Sequence, residues 1–286
     1  MSNIGPFELY TKVPNDIHYG KLYTREVVMP LYYSPKRTIR VYVPEDFDPN
    51  KKYPLLVMSD GQNMVDRYTT SFGAWDIDDR MHELIQEGYP SFILLGIDSG
   101  PNFLHRALEL SLPYIRMINE EEGAGLAKWV DYQFESHLFF KYIVEDLIPE
   151  VKKYFPISDN KDDIGASGAS MGGIYAFSIV AEYPETFGFS MIFSPGFFLY
   201  KESDLNGYFD KVYPRLTNQK LYMYTGSKDF EAKFTKRTID AYNYFRNKGY
   251  PESQIKLLVD KEAEHNEKAW SKHFNEAIRF WLKKKA

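Results

Sequence analysis

Residues Gly168-Ala169-Ser170-Met171-Gly172-Gly173 constrain this chain more than any other stretch. They form a G-x-S-x-G pattern, and the flanking residues give it meaning. Asp163-Ile164-Gly165-Ala166-Ser167 is apolar and small and reads as a buried strand, while Ile174 to Ala181 reads as a helix. A strand that becomes a helix at once must reverse sharply, which strains the backbone at the apex. Glycines at 168 and 172 remove the side chains that would collide there. The Ser170 hydroxyl is then lifted clear of the sheet at a helix N-terminus. Backbone N–H groups in that first turn have no helical partner and can stabilise an oxyanion.

The rest of the composition narrows the chemistry. The 286 residues, 44% hydrophobic and 17% aromatic, suffice for one large α/β domain spanning 1–286. A net charge of -5 argues against a nucleic-acid surface and gives no reason to expect an anionic membrane partner. With no cysteine there is no thiol nucleophile, disulfide or thiolate metal site. Met1 to Glu8 shows no basic region followed by an apolar run, and no stretch is long and apolar enough to span a bilayer. A soluble, cytoplasmic protein is therefore expected. No H-E-x-x-H spacing and no Gly-rich phosphate loop occurs, so neither a metal nor an organic cofactor is expected.

In chain order, Lys21 to Ser34 and Thr38 to Val43 read as an antiparallel hairpin. Continuous apolar runs follow at Tyr53 to Ser59 and Ser91 to Asp98, as in strands buried on both faces of a parallel sheet. Further strands are expected at 163–167, 189–194, 221–225 and 255–259, giving eight in all. The acidic cluster of Asp76, Asp78 and Asp79 reads as an N-cap and favourable charge at a helix start rather than as a metal site. About residues 99–133 form an irregular insertion, of a length that is usually functional, expected to line a substrate pocket. Tyr132 to Tyr154 reads as a long amphipathic helix that Pro149 must kink or restart.

Ser170, Asp229 and His265 each lie just past the carboxyl end of an expected strand. In a parallel sheet those ends share one edge, where ligand chemistry sits. A serine hydroxyl is a poor nucleophile until a base takes its proton. Imidazole suits that role, and a carboxylate fixes its tautomer and stabilises the imidazolium. Of six histidines, His265 alone sits in a post-strand loop near the C-terminus; His105, in the loop after an earlier strand, is the reserve. Asp229 is the first choice of acid and Glu231 the alternative. The N–H groups of Met171 and Gln62 are the expected oxyanion donors. Trp75 and Arg106 are candidates for the pocket wall, although Arg106 is expected to pair with Glu109 in preference to holding a substrate carboxylate.

These pieces, with Asp60-Gly61-Gln62-Asn63, Trp75-Asp76, Gly96-Ile97-Asp98, Asp146-Leu147-Ile148-Pro149, Phe193-Ser194-Pro195, Gly226-Ser227-Lys228-Asp229 and His265 with Trp270, fall in one order from about residue 36 to the end. In that order the chain resembles the putative esterase family of α/β-hydrolases, which includes enterochelin esterases, feruloyl esterases and mycolyltransferases. The resemblance implies an α/β-hydrolase fold: a mostly parallel eight-stranded sheet, an N-terminal antiparallel hairpin and helices on both faces. It implies Ser170 as nucleophile, His265 as base, an acid between Gly226 and Glu231, and an oxyanion hole near Gln62 and Met171. The expected activity is hydrolysis of a small-molecule ester of a small or medium acyl group through an acyl-enzyme. An acyltransferase using the same triad, or a non-catalytic binding module, is the alternative.

Overall fold

The structure, a computed structural model, describes residues 3–9, 17–33, 35–65, 73–117 and 134–285. Ser34 of the hairpin turn, 118–133 of the insertion and the first two residues of the expected long helix lie outside them.

One sheet runs through the molecule. Its strands are β1 (Asn3–Ile4), β2 (Phe7–Leu9), β3 (Lys21–Val28), β4 (Lys36–Val43), β5 (Leu55–Ser59), β6 (Ile93–Ile97), β7 (Ile164–Ala169), β8 (Phe189–Phe193), β9 (Lys220–Gly226) and β10 (Ile255–Asp260). Their order across the sheet is β1-β2-β3-β4-β6-β5-β7-β8-β9-β10. The first four run antiparallel to their neighbours, and β4 also meets β6 antiparallel. From β6 to β10 every pairing is parallel. The eight expected strands are thus β3 to β10, and two short strands extend the antiparallel edge.

The patterning explains the placement. Strands β5 to β8 are buried at every residue, as their unbroken apolar or small runs require. Strand β5 lies between β6 and β7, so the chain order reverses there. Helices cover both faces: α1 (Ile77–Gln86), α2 (Phe103–Leu110), α3 (Ser136–Tyr142), α4 (Ile148–Lys152), α5 (Met171–Glu182), α6 (Glu202–Val212), α7 (Ala232–Asn247) and α8 (Glu267–Trp281). One core layer holds apolar residues of α3 to α7, including Phe139, Phe177, Phe209 and Phe245; the other holds those of α1 and α8, including Met81, Leu84, Phe274 and Trp281. Helix α5 is buried from Met171 to Ala181, which is why its sequence is apolar all round.

The expectation for the stretch after β6 needs correction: it is not irregular throughout, because α2 forms within it, capped by the Asn102 side chain accepting from the His105 N–H. The expected restart at Pro149 does occur: α3 ends at Tyr142, and α4 has Pro149 in its first turn. A π-helical segment at Ile143–Leu147 separates α3 from α4, and the Ile148 N–H reaches back to the Ile143 carbonyl. Pro149 lacks an N–H and its ring crowds the preceding turn, so a widened turn relieves it. Asp76 precedes α1 with a φ of 51° and makes no side-chain cap, while Asp78 and Asp79 supply the acidic first turn. Both acids also receive His18, whose N–H donates to Asp78 and whose Nδ1 pairs with Asp79. Among the described residues no helix is long and apolar enough to cross a membrane.

The elbow depends on close packing. A Cβ on Gly168 would lie 2.4 Å from the Gly172 carbonyl oxygen and 2.5 Å from Ser59 Oγ, whereas one on Gly207, on the exposed side of α6, would meet nothing within 4 Å. Gly168→Ala should therefore destabilise the fold by about 1–3 kcal/mol, and Gly207→Ala should stabilise it by about 0.5–1 kcal/mol. Urea denaturation of both variants checks the opposite signs.

Candidate active site

The carboxyl ends of the parallel strands deliver the site. Ser170 follows β7 with φ 61° and ψ -120°, an uncommon conformation for a residue with a side chain, and α5 begins at the next residue. Its backbone is pinned on both sides: the N–H donates to the Phe193 carbonyl at 3.0 Å, and the carbonyl accepts from Gly196 at 3.1 Å. Met171 is buried at the first position of α5, where its N–H has no helical acceptor.

Beyond β9 the chain makes a short 3-10 turn, Asp229–Glu231, before α7. Asp229 takes a positive φ of 52° and its side chain is exposed. Glu231 is fully buried and faces His265: its Oε2 pairs with His265 Nδ1. Its Oε1 accepts from Ser194 Oγ at 2.5 Å, the Gly226 N–H at 2.8 Å and Thr225 Oγ1 at 3.2 Å. The carboxylate that meets the imidazole is therefore Glu231, the alternative, and not Asp229, the first choice. The turn swings residue 229 outward and folds residue 231 back beneath the end of β9. Gly226 lets the two loops meet, since a Cβ there would lie 2.4 Å from the Ala263 carbonyl, and Lys228 N–H donates to that same carbonyl.

His265 is boxed by aromatic rings. Phe234 stacks on it at 4.0 Å, and Trp270 and Phe230 meet it edge-on at 4.9 Å and 5.5 Å. Trp270 also donates from Nε1 to Ser194 Oγ at 3.0 Å, so one hydroxyl links the tryptophan to Glu231. With Nδ1 turned to a carboxylate, the imidazole keeps Nε2 free for proton exchange in its neutral form.

Ser170 and His265 line one cavity of about 590 Å³, together with Asp60, Gln62, Asn63, Trp75, Ser99, Arg106, Phe230, Glu267 and Trp270. Gln62 sits in a 3-10 turn after β5, and its side chain is tied to Ser99 by bonds of 3.1 and 3.0 Å. Trp75 stacks on Trp270. Arg106 does not pair with Glu109, which takes the buried Arg37. Instead it forks onto Asp60, Nε to Oδ1 at 2.6 Å and Nη2 to Oδ2 at 2.8 Å, and reaches the Ala169 carbonyl at 3.3 Å. Burial alone would lower the guanidinium pKa, but the charge and hydrogen bonds of Asp60 outweigh it and the net direction is upward.

Glu267, Asn63, Asp60 and Ser194 were assigned no role from the sequence. Asn63 Nδ2 donates to Glu267 Oε1 at 2.7 Å. Burial raises the Glu267 pKa, and the nearby Asp60 charge raises it further. Its own N–H, Asn63 and the Arg106 charge pull the other way without cancelling the shift. The only signal available beforehand was position: Glu267 opens the helix two residues after His265.

The sharp strand–helix turn at Ser170, the carboxylate-bound histidine and the mostly parallel sheet have the arrangement of an α/β-hydrolase scaffold. A family model described as putative esterase matches residues 33–281, and the chain belongs to that family. By class it is a carboxylic ester hydrolase. The uncharacterized protein YbbA of Bacillus subtilis is 22% identical over 258 residues, covering 86% of this chain and 92% of that protein. Among solved structures, a ferulic acid esterase superposes with a TM-score of 0.66 at 17% identity, covering 93% of this chain and 98% of its own. The BES protein from Bacillus cereus gives 0.69 at 17%, with coverages of 95% and 97%. The enterochelin esterase of Shigella flexneri gives 0.66 at 17%, where 90% of this chain matches 58% of that longer one. At these identities the structures share a fold.

The raised Glu267 pKa has a consequence for stability. Near and above the carboxyl's ordinary value of 4.5 the folded protein binds a proton more tightly than the unfolded chain. Stability is therefore lost as pH rises through the raised pKa, and the cost is absent below the ordinary value. Glu267→Gln, which carries no such charge, should gain Tm relative to wild type as pH goes from about 4 to about 9. A Tm difference that stays flat across that range in differential scanning calorimetry contradicts this.

Proposed function

We propose that the chain is a serine carboxylesterase that works through an acyl-enzyme, with Ser170 as nucleophile, His265 as general base and acid, and Glu231 as the carboxylate. The observation that carries this reading is the contact of buried Glu231 with His265 Nδ1, beside a cavity that His265 shares with the elbow serine. His265 Nε2 takes the Ser170 proton as Oγ attacks the ester carbonyl. The N–H groups of Met171 and Gln62 hold the oxyanion, and the imidazolium, stabilised by Glu231, protonates the departing alcohol. Water then enters, gives its proton to Nε2 and attacks the acyl-enzyme; the acid leaves as Ser170 recovers its proton. Every step uses protein groups and water. A cavity of about 590 Å³ suits a small or medium acyl group with its alcohol.

The carboxylate assignment is checked by ranking variants on p-nitrophenyl esters. Ser170→Ala should lower kcat by ~10⁴-fold or more with the fold intact. Glu231→Gln, which leaves the imidazole without its anionic partner, should cost about 10³- to 10⁴-fold. Asp229→Asn should stay within about twofold, as expected of an exposed side chain when Glu231 is the imidazole's partner. The reverse order for the two acids would return the role to Asp229. A fluorophosphonate probe should label the wild type and spare Ser170→Ala.

A further inference from the structure

Among the described residues, three charged side chains line the cavity that holds Ser170 and His265: Asp60, Arg106 and Glu267. The cation among them is already held: Arg106 binds both oxygens of Asp60 in a planar fork. That pair is closed on itself, so it offers little to a substrate anion. Glu267 is held differently. It is only 7% exposed, and the side chain that donates to it is a neutral amide, Asn63. Asn63 is itself fixed, since its carbonyl accepts from the Trp75 N–H. Glu267 follows His265 by two residues and opens α8, so the turn that sets the imidazole also sets this carboxylate in the wall. Counting Asp60 and Glu267 against Arg106, the ionised wall formed by the described residues carries one net negative charge.

We propose that Glu267 makes this pocket selective for esters bearing a protonated amine, on either the acyl or the alcohol side. The assignment rests on the esterase reading and names the substrate class of that site. A carboxylate shielded from water and met by one neutral side-chain donor gains from an N–H⁺ group that a substrate brings, because charge-assisted hydrogen bonds are the stronger ones. The same wall disfavours a substrate anion by like-charge repulsion. A fold without this demand would be better served by glutamine, which fills the same space and carries no desolvation cost. Trp75 and Trp270 line the same cavity, and aromatic side chains also favour a cation over a neutral group.

Two pairs of esters isolate the charge from the shape. 2-(Dimethylamino)ethyl acetate is compared with 3-methylbutyl acetate, and ethyl 4-(dimethylamino)butanoate with ethyl 5-methylhexanoate. In each pair N–H⁺ replaces C–H. Hydrolysis is followed by pH-stat near neutral pH in wild type and Glu267→Gln. In wild type at least one amine ester should exceed its neutral partner in kcat/KM by about tenfold. In Glu267→Gln that ratio should fall to about one, mainly through KM. Equal rates within both pairs in wild type overturn the assignment, as does a preference that survives in Glu267→Gln. Turnover of the neutral esters tests the esterase reading separately: if wild type hydrolyses none of the four, that reading falls and the selectivity with it.

Discussion

A carboxylate with no solvent exposure must be met on all sides by donors, and Glu231 imposes that condition on the whole active edge. Its two oxygens collect a hydroxyl from the residue after β8, a hydroxyl and an N–H from the end of β9, and the imidazole from the loop after β10. Leaving such a charge uncompensated would cost several kcal/mol. The same bonds that satisfy it also fix three adjacent strand ends relative to one another. Ser194, with φ 42°, accepts a strained backbone in order to turn its hydroxyl towards Glu231. Trp270 closes the arrangement from α8 by donating to that hydroxyl while packing edge-on against His265. The imidazole is thus oriented by a network anchored in the sheet and not by its own loop.

A second ion pair does comparable work on the other side of the elbow. Asp60, in a left-handed conformation at the end of β5, receives Arg106 from α2, and the same guanidinium touches the carbonyl just before Ser170. This ties the stretch after β6 to the turn that carries Ser170. Arg37 and Glu109, buried together, fasten the same helix to β4. The expected pairing of Arg106 with Glu109 is a local one along the helix, and it lost to two longer connections, each of which satisfies a buried charge.

That Ser170 and His265 would meet at one edge could be read from the residues because each is fixed by a strand end, and strand ends announce themselves through continuous apolar runs. The carboxylate could not. Asp229 and Glu231 differ by two positions in a 3-10 turn, and their side-chain types alone do not say which of them the turn brings to the imidazole. Strands β1 and β2, of two and three residues, are too short for alternation to show. The π-helical segment before Pro149 reflects a local conflict that sequence marks but does not resolve. Partners such as Arg106 and Asp60, 46 residues apart, depend on the finished topology.

The two buried glutamates of this edge separate orientation from recognition. Glu231 has a partner at every turn: hydroxyls, a backbone N–H and an imidazole. Nothing is left for a substrate to supply, and its position behind the histidine keeps it out of the cavity wall. Glu267 stands in that wall with a neutral amide as its side-chain donor and a second acid, Asp60, close enough to raise its pKa. A fold optimised only for stability would have satisfied the second as fully as the first, or replaced it. That one carboxylate is complete while the other is left in electrostatic deficit, a few residues from the same imidazole, is the pattern expected where a ligand is to supply the missing charge.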